Sequence, residues 1–260
     1  MGKILAVTNR KGGTGKTMTS VSLGASLARQ GKKVLIVDAD SQHSATVSLG
    51  VAEPDKLEVT LATIMQGIIM EQEIDPLDGI IPHPEGVSLI PSNNGLAGIE
   101  VALAPIIGRE TVLRQYTDKV RALFDYVLID TAPTLDLMAV NALAAADSVI
   151  IPVAPKYLDA KGMELLLKSI ARIRKQINPN LAICGILLTM VDRRANITKG
   201  IMNMIEEAYG ESLNIFKDHI PHSVRAVETP ATGRSIFEHD PNGKVAMAYA
   251  SLAREVLEIA

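Results

Sequence analysis

The stretch that decides the fold of this chain is Val7-Thr8-Asn9-Arg10-Lys11-Gly12-Gly13-Thr14-Gly15-Lys16-Thr17-Met18-Thr19. A short apolar run at residues 4–7 comes before it and predicts a strand. Apolar residues recur at helical spacing after it, at Val21, Leu23 and Leu27. A strand, a glycine-rich loop and a helix start, in this order, form the context that a phosphate-binding loop requires.

The residue types in this loop explain how it can hold a phosphate. Gly12, Gly13 and Gly15 let the backbone take turns that a Cβ would hinder, so successive N–H groups can converge on one anion. The dipole and the unpaired first amides of the following helix add positive potential. Lys16 is predicted to place its ammonium on the β- and γ-phosphates, and the Thr17 hydroxyl to ligate Mg²⁺. The loop therefore predicts a nucleoside triphosphate site.

Length and composition limit the fold and its partners. The 260 residues, 47% of them hydrophobic, suffice for a large core, and we expect residues 1–260 to form one α/β domain. Cys184 is the one cysteine in the sequence, which excludes a disulfide framework and paired thiols for zinc or an iron–sulfur cluster. A net charge of −3 and 3% aromatic residues mean that any nucleic-acid contact should be local, basic and salt-sensitive.

Nothing in the sequence indicates export or membrane insertion. No signal sequence precedes the loop, and no apolar run approaches the roughly 20 residues of a membrane span. We therefore expect a cytoplasmic protein without stable membrane association. His43 and His83 have no partner at metal-ligand spacing and are assigned no role.

Two predicted strands end in carboxylates. Residues 33–38 form an apolar run that ends in Asp38-Ala39-Asp40, and residues 126–130 form another that ends in Asp130. Ligands bind at the carboxyl ends of parallel strands in open α/β sheets. Asp38 and Asp130 are therefore predicted to lie near Mg²⁺. For Asp130 we expect contact through water, because Mg²⁺ gives up its hydration shell reluctantly.

Helix and strand patterns alternate along the rest of the chain. Further strands are predicted at residues 87–91, 148–153 and 181–190, with helices at 109–123, 158–177 and 243–259. This alternation predicts a doubly wound, mostly parallel sheet flanked by helices, with Cys184 as a small core residue. The helix at 158–177 is interpreted as amphipathic and packed on the sheet, and a DNA-facing role for its basic side stays open as an alternative.

The loop departs from the ordinary pattern G-x-x-x-x-G-K-[ST], because Arg10 stands where the first glycine would be and Lys11 adds a second lysine. This K-G-G-T-G-K-T form resembles the deviant Walker A loop of the ParA/MinD group of P-loop ATPases. The resemblance implies that Lys11 reaches across a dimer interface to the partner's nucleotide, and that Asp40 orients the attacking water. Asp130-Thr131-Ala132-Pro133 matches the D-x-x-P of the group, whereas Ser41 replaces the proline that usually follows Asp40.

The resemblance also implies a set of site residues. Lys11, Lys16 and Asp40 are the implied catalytic residues. Met18 stands where the group often has a second threonine, which should alter a minor α-phosphate contact. The implied phosphate-side nucleotide contacts are Lys11, Gly12, Gly13, Thr14, Gly15, Lys16, Thr17 and Met18.

Two later segments resemble the partition ATPases within this group. Leu188-Thr189-Met190-Val191-Asp192-Arg193-Arg194 is similar to their L-T-M-x-D-x-R, which supplies an arginine for non-specific DNA binding, and Arg194 falls on that position. His219-Ile220-Pro221-His222-Ser223-Val224-Arg225 is similar to their I-P-R-N-V-R, in which proline and asparagine border the adenine and the last arginine joins the DNA surface. The resemblance assigns those roles to Pro221, Ser223 and Arg225, with the shorter Ser223 in place of asparagine.

As a whole, the chain resembles the ParA/Soj partition ATPases. This implies ATP and Mg²⁺ as cofactors, an ATP-bound homodimer, non-specific binding to nucleoid DNA, and a ParB-like centromere-binding partner that stimulates hydrolysis. A MinD-like membrane-associated regulator is the main alternative, and it is disfavoured because the last turns, Arg254-Glu255-Val256-Leu257-Glu258-Ile259, are short and acidic. A metabolic synthetase is a further alternative. An iron–sulfur reductase is another, but a cluster would need more cysteines than Cys184.

Overall fold

The computed structural model describes residues 1–192 and 194–259, with the backbone only for residues 157–161. Within this part, strands and helices alternate from the first residues onward. The strands are β1 (Lys3–Val7), β2 (Val34–Ala39), β3 (Ile81–Pro82), β4 (Val87–Ile90), β5 (Tyr126–Thr131), β6 (Ser148–Val153) and β7 (Ala182–Leu188). The helices are α1 (Lys16–Arg29), α2 (Ser44–Ser48), α3 (Leu61–Ile69), α4 (Gly95–Leu103), α5 (Val112–Val120), α6 (Leu137–Ala145), α7 (Tyr157–Gln176), α8 (Asn196–Tyr209), α9 (Val224–Thr232), α10 (Ile236–His239) and α11 (Lys244–Ile259).

The strands form one sheet in the order β3-β4-β2-β5-β1-β6-β7. All neighbouring pairs in it are parallel except β3 and β4, which are antiparallel at the edge. Because β1 lies inside the sheet and later strands add on both of its sides, the sheet is doubly wound, as the sequence predicts. The register places Asp38 of β2 beside Asp130 of β5, at the carboxyl ends of adjacent strands.

Each face of the sheet carries its own apolar core. On one face, β-strand residues pack with apolar side chains of α3, α4, α5, α6, α7 and α8. On the other face, they pack with α1, α2, α10 and α11. The central strands read as continuous apolar runs because both of their sides are covered. Cys184 is buried in the second core, where burial raises the pKa of its thiol to about 11, which confirms the core assignment.

Helix α7 packs its apolar side chains Leu166, Ile170 and Ile173 into the first core, which confirms its interpretation as an amphipathic helix on the sheet. Helix α11 does the same in the second core through Leu252 and Val256. Within the described residues, we find no helix that is both long and apolar enough to traverse a bilayer.

The sequence patterns miss some elements and misplace others. The helix predicted at 109–123 is a 3-10 turn, Arg109–Thr111, followed by the shorter helix α5, in whose first turn the Leu113 N–H donates to Asn141 Oδ1 at 3.1 Å. That partner comes from another helix and is not visible in local sequence. Strand β3 has only two residues, one of them proline, which is too short for a period-2 pattern. Helix α4 begins at Gly95, a weak helix former.

Candidate nucleotide-binding site

The glycine loop between β1 and α1 is fixed by two side chains at strand ends, Asn9 after β1 and Thr189 after β7. Asn9 Nδ2 donates to the Pro152 carbonyl at 2.7 Å, and Asn9 Oδ1 accepts the Lys11 N–H at 3.1 Å. Beyond β7, the Thr189 hydroxyl donates to the Thr14 carbonyl at 2.8 Å. These bonds hold the loop backbone from both sides.

Two glycines of the loop have left-handed backbone angles, with φ of 70° at Gly13 and 80° at Gly15. Such angles strain residues that have a Cβ. Gly15 directly precedes α1, so the unpaired N–H groups of the first helical turn face the loop. The local backbone therefore has the form that an anion-binding loop requires.

Lys16 is an ammonium held inside the loop. Its side chain is only 7% exposed, and its Nζ donates to the Lys11 carbonyl at 3.1 Å. Burial lowers the pKa of Lys16, while the nearby carboxylates of Asp130 and Asp40 act in the opposite direction. A lysine bonded to a carbonyl of its own loop can exchange that bond for a phosphate oxygen without moving far.

Asp130 lies beside the N-terminal end of α1 and accepts hydrogen bonds from two hydroxyl groups of this helix. Thr17 Oγ1 donates to Asp130 Oδ2 at 2.7 Å, and Ser20 Oγ donates to Asp130 Oδ1 at 2.8 Å. Burial, and then the charge of Asp38, raise the pKa of Asp130 to about 7. The Asp130 carboxylate is thus fixed in place and is costly to keep ionised without a cation nearby.

Asp38 ties the end of β2 to the start of α2. Its Oδ2 accepts the backbone N–H and the hydroxyl of Thr46 at 2.8 and 2.7 Å, and its Oδ1 accepts the Asp40 N–H at 3.2 Å. Burial raises the pKa of Asp38 to about 6. Asp40 follows at the mouth of the site, where its Oδ1 accepts the Gln42 N–H at 2.9 Å.

Lys16, Thr17 and Asp40 line one cavity of about 560 Å³, whereas Asp38 and Asp130 are fully buried and do not line it. Its walls come from the glycine loop with α1, from the segment after β2, from α9 and from the loop after α9. The lining residues are Gly12, Gly13, Gly15, Lys16, Thr17, Met18, Val21, Asp40, Gln42, Ser44, Val47, Ser48, Pro133, Ala226, Thr229, Pro230 and Arg234. The structure thus brings most of the predicted phosphate-side residues, together with Asp40, to one cavity.

Lys11 is placed differently from Lys16. Its side chain is half-buried and does not line the cavity described above. A Cβ built at Gly162 in α7 would lie 3.9 Å from Lys11 Cγ, so the side chain runs toward the start of that helix. The predicted reach of Lys11 to a partner's nucleotide stays a prediction.

The predicted adenine and DNA residues gather near the end of β7. Val191 and the segment before α9 pair as two short extended pieces, because the Val191 N–H donates to the Ile220 carbonyl at 3.0 Å and the His222 N–H donates to the Val191 carbonyl at 3.2 Å. Arg194 and Pro221 line a separate cavity of about 800 Å³ beside this pairing. Arg193 of the matching motif lies outside the described residues.

Ser223 and Arg225 lie at the start of α9. Ser223 is the residue that precedes the helix, and its side chain lines neither this second cavity nor the phosphate-side one. Arg225 is exposed and lies 3.5 Å from Glu228 Oε2, a surface ion pair. The adenine roles of Pro221 and Ser223 and the DNA roles of Arg194 and Arg225 stay predictions.

The sequence interpretation missed several residues that organise the site. Ser20, Thr46 and Thr189 each donate a hydroxyl to a loop carbonyl or a carboxylate of the site. Only Ser20 carries a local signal, because it lies one helical turn after Lys16 on the same side of α1. The others meet their partners through the fold.

A central parallel strand, a glycine loop, a helix that starts with lysine and threonine, and two acidic strand ends define the chain as a P-loop nucleotide-binding protein. The family model described as AAA domain (AAA_31) matches residues 2–183. The chain belongs to this family and, within it, to the ParA/Soj chromosome-partitioning ATPases.

Two relatives support the assignment to the ParA/Soj ATPases. The sporulation initiation inhibitor protein Soj of Bacillus subtilis is 40% identical over 257 residues, which is 98% of each chain. The chromosome partitioning protein ParA of Caulobacter vibrioides is 34% identical over 98% of this chain and 94% of that protein. Both alignments therefore span the glycine loop, the acidic strand ends and the segments around Arg194 and Arg225.

A solved structure shares the fold. Cobyrinic acid a,c-diamide synthase from Mycobacterium smegmatis, crystallised with ADP and magnesium, superposes with a TM-score of 0.86 at 33% identity. The match covers 99% of this chain and 95% of the synthase chain. The doubly wound sheet flanked by helices is thus confirmed.

Proposed function

We propose that this protein is a Mg²⁺-dependent ATPase that dimerises with ATP, binds DNA without sequence preference in that state, and serves chromosome or plasmid partition. The observation that carries the proposal is the convergence of a buried ammonium, Lys16, with the acidic ends of two adjacent strands at a glycine loop. The name of the ParA relative, a chromosome partitioning protein, supports the partition role. We further propose that residues 1–260 act as one domain.

The donor set fits a magnesium ion. Within the described residues, no group of three or more His, Cys, Asp or Glu side chains is suited to hold a metal, so an all-protein cage is absent there. Mg²⁺ characteristically uses one or two carboxylates with water and substrate phosphates. Asp38 and Asp130 are a buried carboxyl pair whose pKa values are raised by burial, and a divalent cation relieves that cost.

Thr17, Asp38 and Asp130 would hold the ion, with Asp130 acting through water. Mg²⁺ would neutralise charge that develops on the transferred phosphoryl group. The Thr17 hydroxyl can continue to donate its hydrogen bond to Asp130, because a lone pair on its oxygen remains available to bind a cation.

The residues of the chain divide the work of hydrolysis. The amides of Gly12 to Gly15 and the Lys16 ammonium bind the phosphates and stabilise negative charge. Asp40 holds the attacking water in line, and its carboxylate is placed for this by the Gln42 N–H.

Dimerisation couples this site to DNA. In the proposed dimer, Lys11 of each subunit neutralises charge on the partner's nucleotide. Arg194 and Arg225 of both subunits then form one bivalent basic surface, which binds DNA more tightly than either copy alone. Hydrolysis, stimulated by a ParB-like protein, separates the subunits and releases the nucleoid.

The decisive experiment measures DNA retention with ADP, ATP and a non-hydrolysable ATP analogue across a salt series, with the oligomeric state followed by light scattering. We expect dimers and salt-sensitive DNA binding with ATP or the analogue only. DNA binding that is equal in ADP and ATP would contradict the proposal.

Two other functions give different results in the same assays. A MinD-like regulator would sediment with liposomes in the presence of ATP, and we expect no such sedimentation. The likeness to the diamide synthase raises amidation of a small carboxylic acid as a second candidate. That reaction would require ATP turnover to depend on a carboxylic acid and an amide donor, whereas we expect turnover to depend on DNA and a ParB-like protein.

A further inference from the structure

The phosphate-side cavity carries a charged group that the proposed mechanism does not use. Among its lining residues, Lys16 and Arg234 are cationic and Asp40 is anionic. Lys16 belongs to the glycine loop, whereas Arg234 comes from the loop between α9 and α10. The cavity therefore has a cation on two separate walls.

The backbone around Arg234 is held tightly on both sides. Gly233 has φ of 64°, and a Cβ at this position would come within 2.7 Å of the Gly50 Cα. The Ser235 N–H donates to Glu85 Oε1 at 2.8 Å, and the Ser235 hydroxyl bonds to the same carboxylate. His83 Nε2 lies 3.3 Å from the Gly233 carbonyl oxygen. The β3–β4 turn thus anchors the loop that carries Arg234.

Arg234 differs from Arg225 and Arg29, two arginines on this side of the fold, in having no carboxylate partner among the described residues. Arg225 pairs with Glu228 at 3.5 Å, and Arg29 lies 3.8 Å from Glu238. No ion pair or hydrogen bond joins the guanidinium of Arg234 to any part of the chain that the structure describes. An anchored loop thus presents an uncompensated cation to a cavity that has room for a polyanion.

We propose that the Arg234 guanidinium binds the polyphosphate of the nucleotide held in the same subunit, and that Glu85 positions Arg234 by anchoring its loop. The inference rests on the proposed ATP site. A guanidinium suits this task because its planar donors match phosphate oxygens in pairs. The electrostatic requirement points the same way, since without Arg234 the formal charges lining the cavity cancel, while nucleoside triphosphates carry several negative charges.

The test is calorimetric titration of ATP and ADP, each with Mg²⁺, into wild-type protein and Arg234→Gln, Arg234→Lys and Glu85→Ala variants. Arg174→Gln, which removes an exposed arginine of α7 outside the cavity, is the matched control. We expect Arg234→Gln to weaken ATP binding about tenfold, to weaken ADP binding less, and to reduce the salt dependence of ATP affinity. Arg234→Lys should bind ATP more tightly than Arg234→Gln but less tightly than wild-type protein. Glu85→Ala should weaken ATP binding severalfold.

The outcomes separate this inference from the proposed function. If wild-type protein binds ATP and Arg234→Gln binds it within twofold at low salt, Arg234 has no nucleotide role and the inference fails alone. An equal loss for ATP, ADP and adenosine would also overturn it, because the contact would then be to the nucleoside. If wild-type protein binds no ATP, the proposed function fails together with the inference.

Discussion

Two regions of the molecule are basic, the glycine loop and the edge beyond β7, which carries Arg194 and Arg225. They are built in opposite ways. At the glycine loop, Lys16 is buried, and backbone amides, hydroxyls and carboxylates around it are fixed by short hydrogen bonds. At the edge, Arg194 and Arg225 are exposed and come from the loop after β7 and from the start of α9. Desolvated, fixed charges interact strongly, whereas exposed charges are screened by water and salt. The same type of residue should therefore matter far more at the first place than at the second.

The largest effect should come from Lys16→Ala. Its ammonium is predicted to serve two phosphates, and charged hydrogen bonds of about 2 kcal/mol each imply a loss of roughly 1,000-fold in ATP affinity. Titration with a fluorescent ATP analogue measures it. The control is Lys33→Ala, an exposed lysine beyond the other end of α1. A comparable loss of ATP affinity in both variants would contradict the claim that a buried cation matters more than an exposed one.

Asp40→Ala should come next, and it should separate binding from hydrolysis. Loss of a group that positions or deprotonates the attacking water lowers the rate by at least ~100-fold. ATP should still bind, and the ATP dimer should accumulate. Phosphate release and light scattering measure both, with exposed Glu73→Ala as the control. Full turnover in Asp40→Ala would exclude Asp40 from the reaction.

Asp130→Asn should stabilise the magnesium-free protein while abolishing magnesium-dependent turnover. The folded-state pKa of Asp130, about 7, lies above its ordinary value of 3.8, so its contribution to stability is full below pH 4 and is lost as the pH rises through 7. The variant should therefore gain up to about 4 kcal/mol of unfolding free energy at pH 8, and this gain should shrink toward pH 4.

Urea melts in EDTA at several pH values measure this gain, with exposed Glu73→Gln as the control. A gain that is the same at pH 4 and pH 8 would show that the Asp130 charge is not its cause.

The smallest effect should appear at the edge beyond β7. Arg194→Gln and Arg225→Gln should each weaken DNA binding about tenfold for every sequence and reduce the slope of log affinity against log salt by about 1. Filter retention across a salt series measures this, with Lys119→Gln on α5 as the control. An unchanged slope would remove these arginines from the DNA surface.

The same contrast explains how much of the site was predictable. Lys16, Thr17 and the glycines were found because the loop is one contiguous segment whose chemistry is local. The position of Asp38 and Asp130 at strand ends could be predicted because an apolar run that ends in an acid is also a local pattern. The register then shows that the two residues are neighbours on β2 and β5.

Other contacts could not be predicted because their partners are distant in sequence. Asn9 meets Pro152 across 143 positions, and Thr189 meets Thr14 across 175. Arg234 enters the cavity only because Gly50 and Glu85 hold its loop there. In the fold, the doubly wound, mostly parallel sheet followed from the alternation of strands and helices, whereas two-residue β3 carries too little pattern to be predicted.

The hydrogen bond from the Thr189 hydroxyl to the Thr14 carbonyl joins the two regions. Thr14 belongs to the loop proposed to cradle phosphate, and Arg194 follows Thr189 by five positions in the sequence. A shift of the loop backbone at Thr14 would act on this bond, and the chain that follows Thr189 leads to the edge that is proposed to contact the nucleoid. Five residues of chain would thus be enough to link the proposed nucleotide site to the proposed DNA surface, without any rearrangement of the sheet.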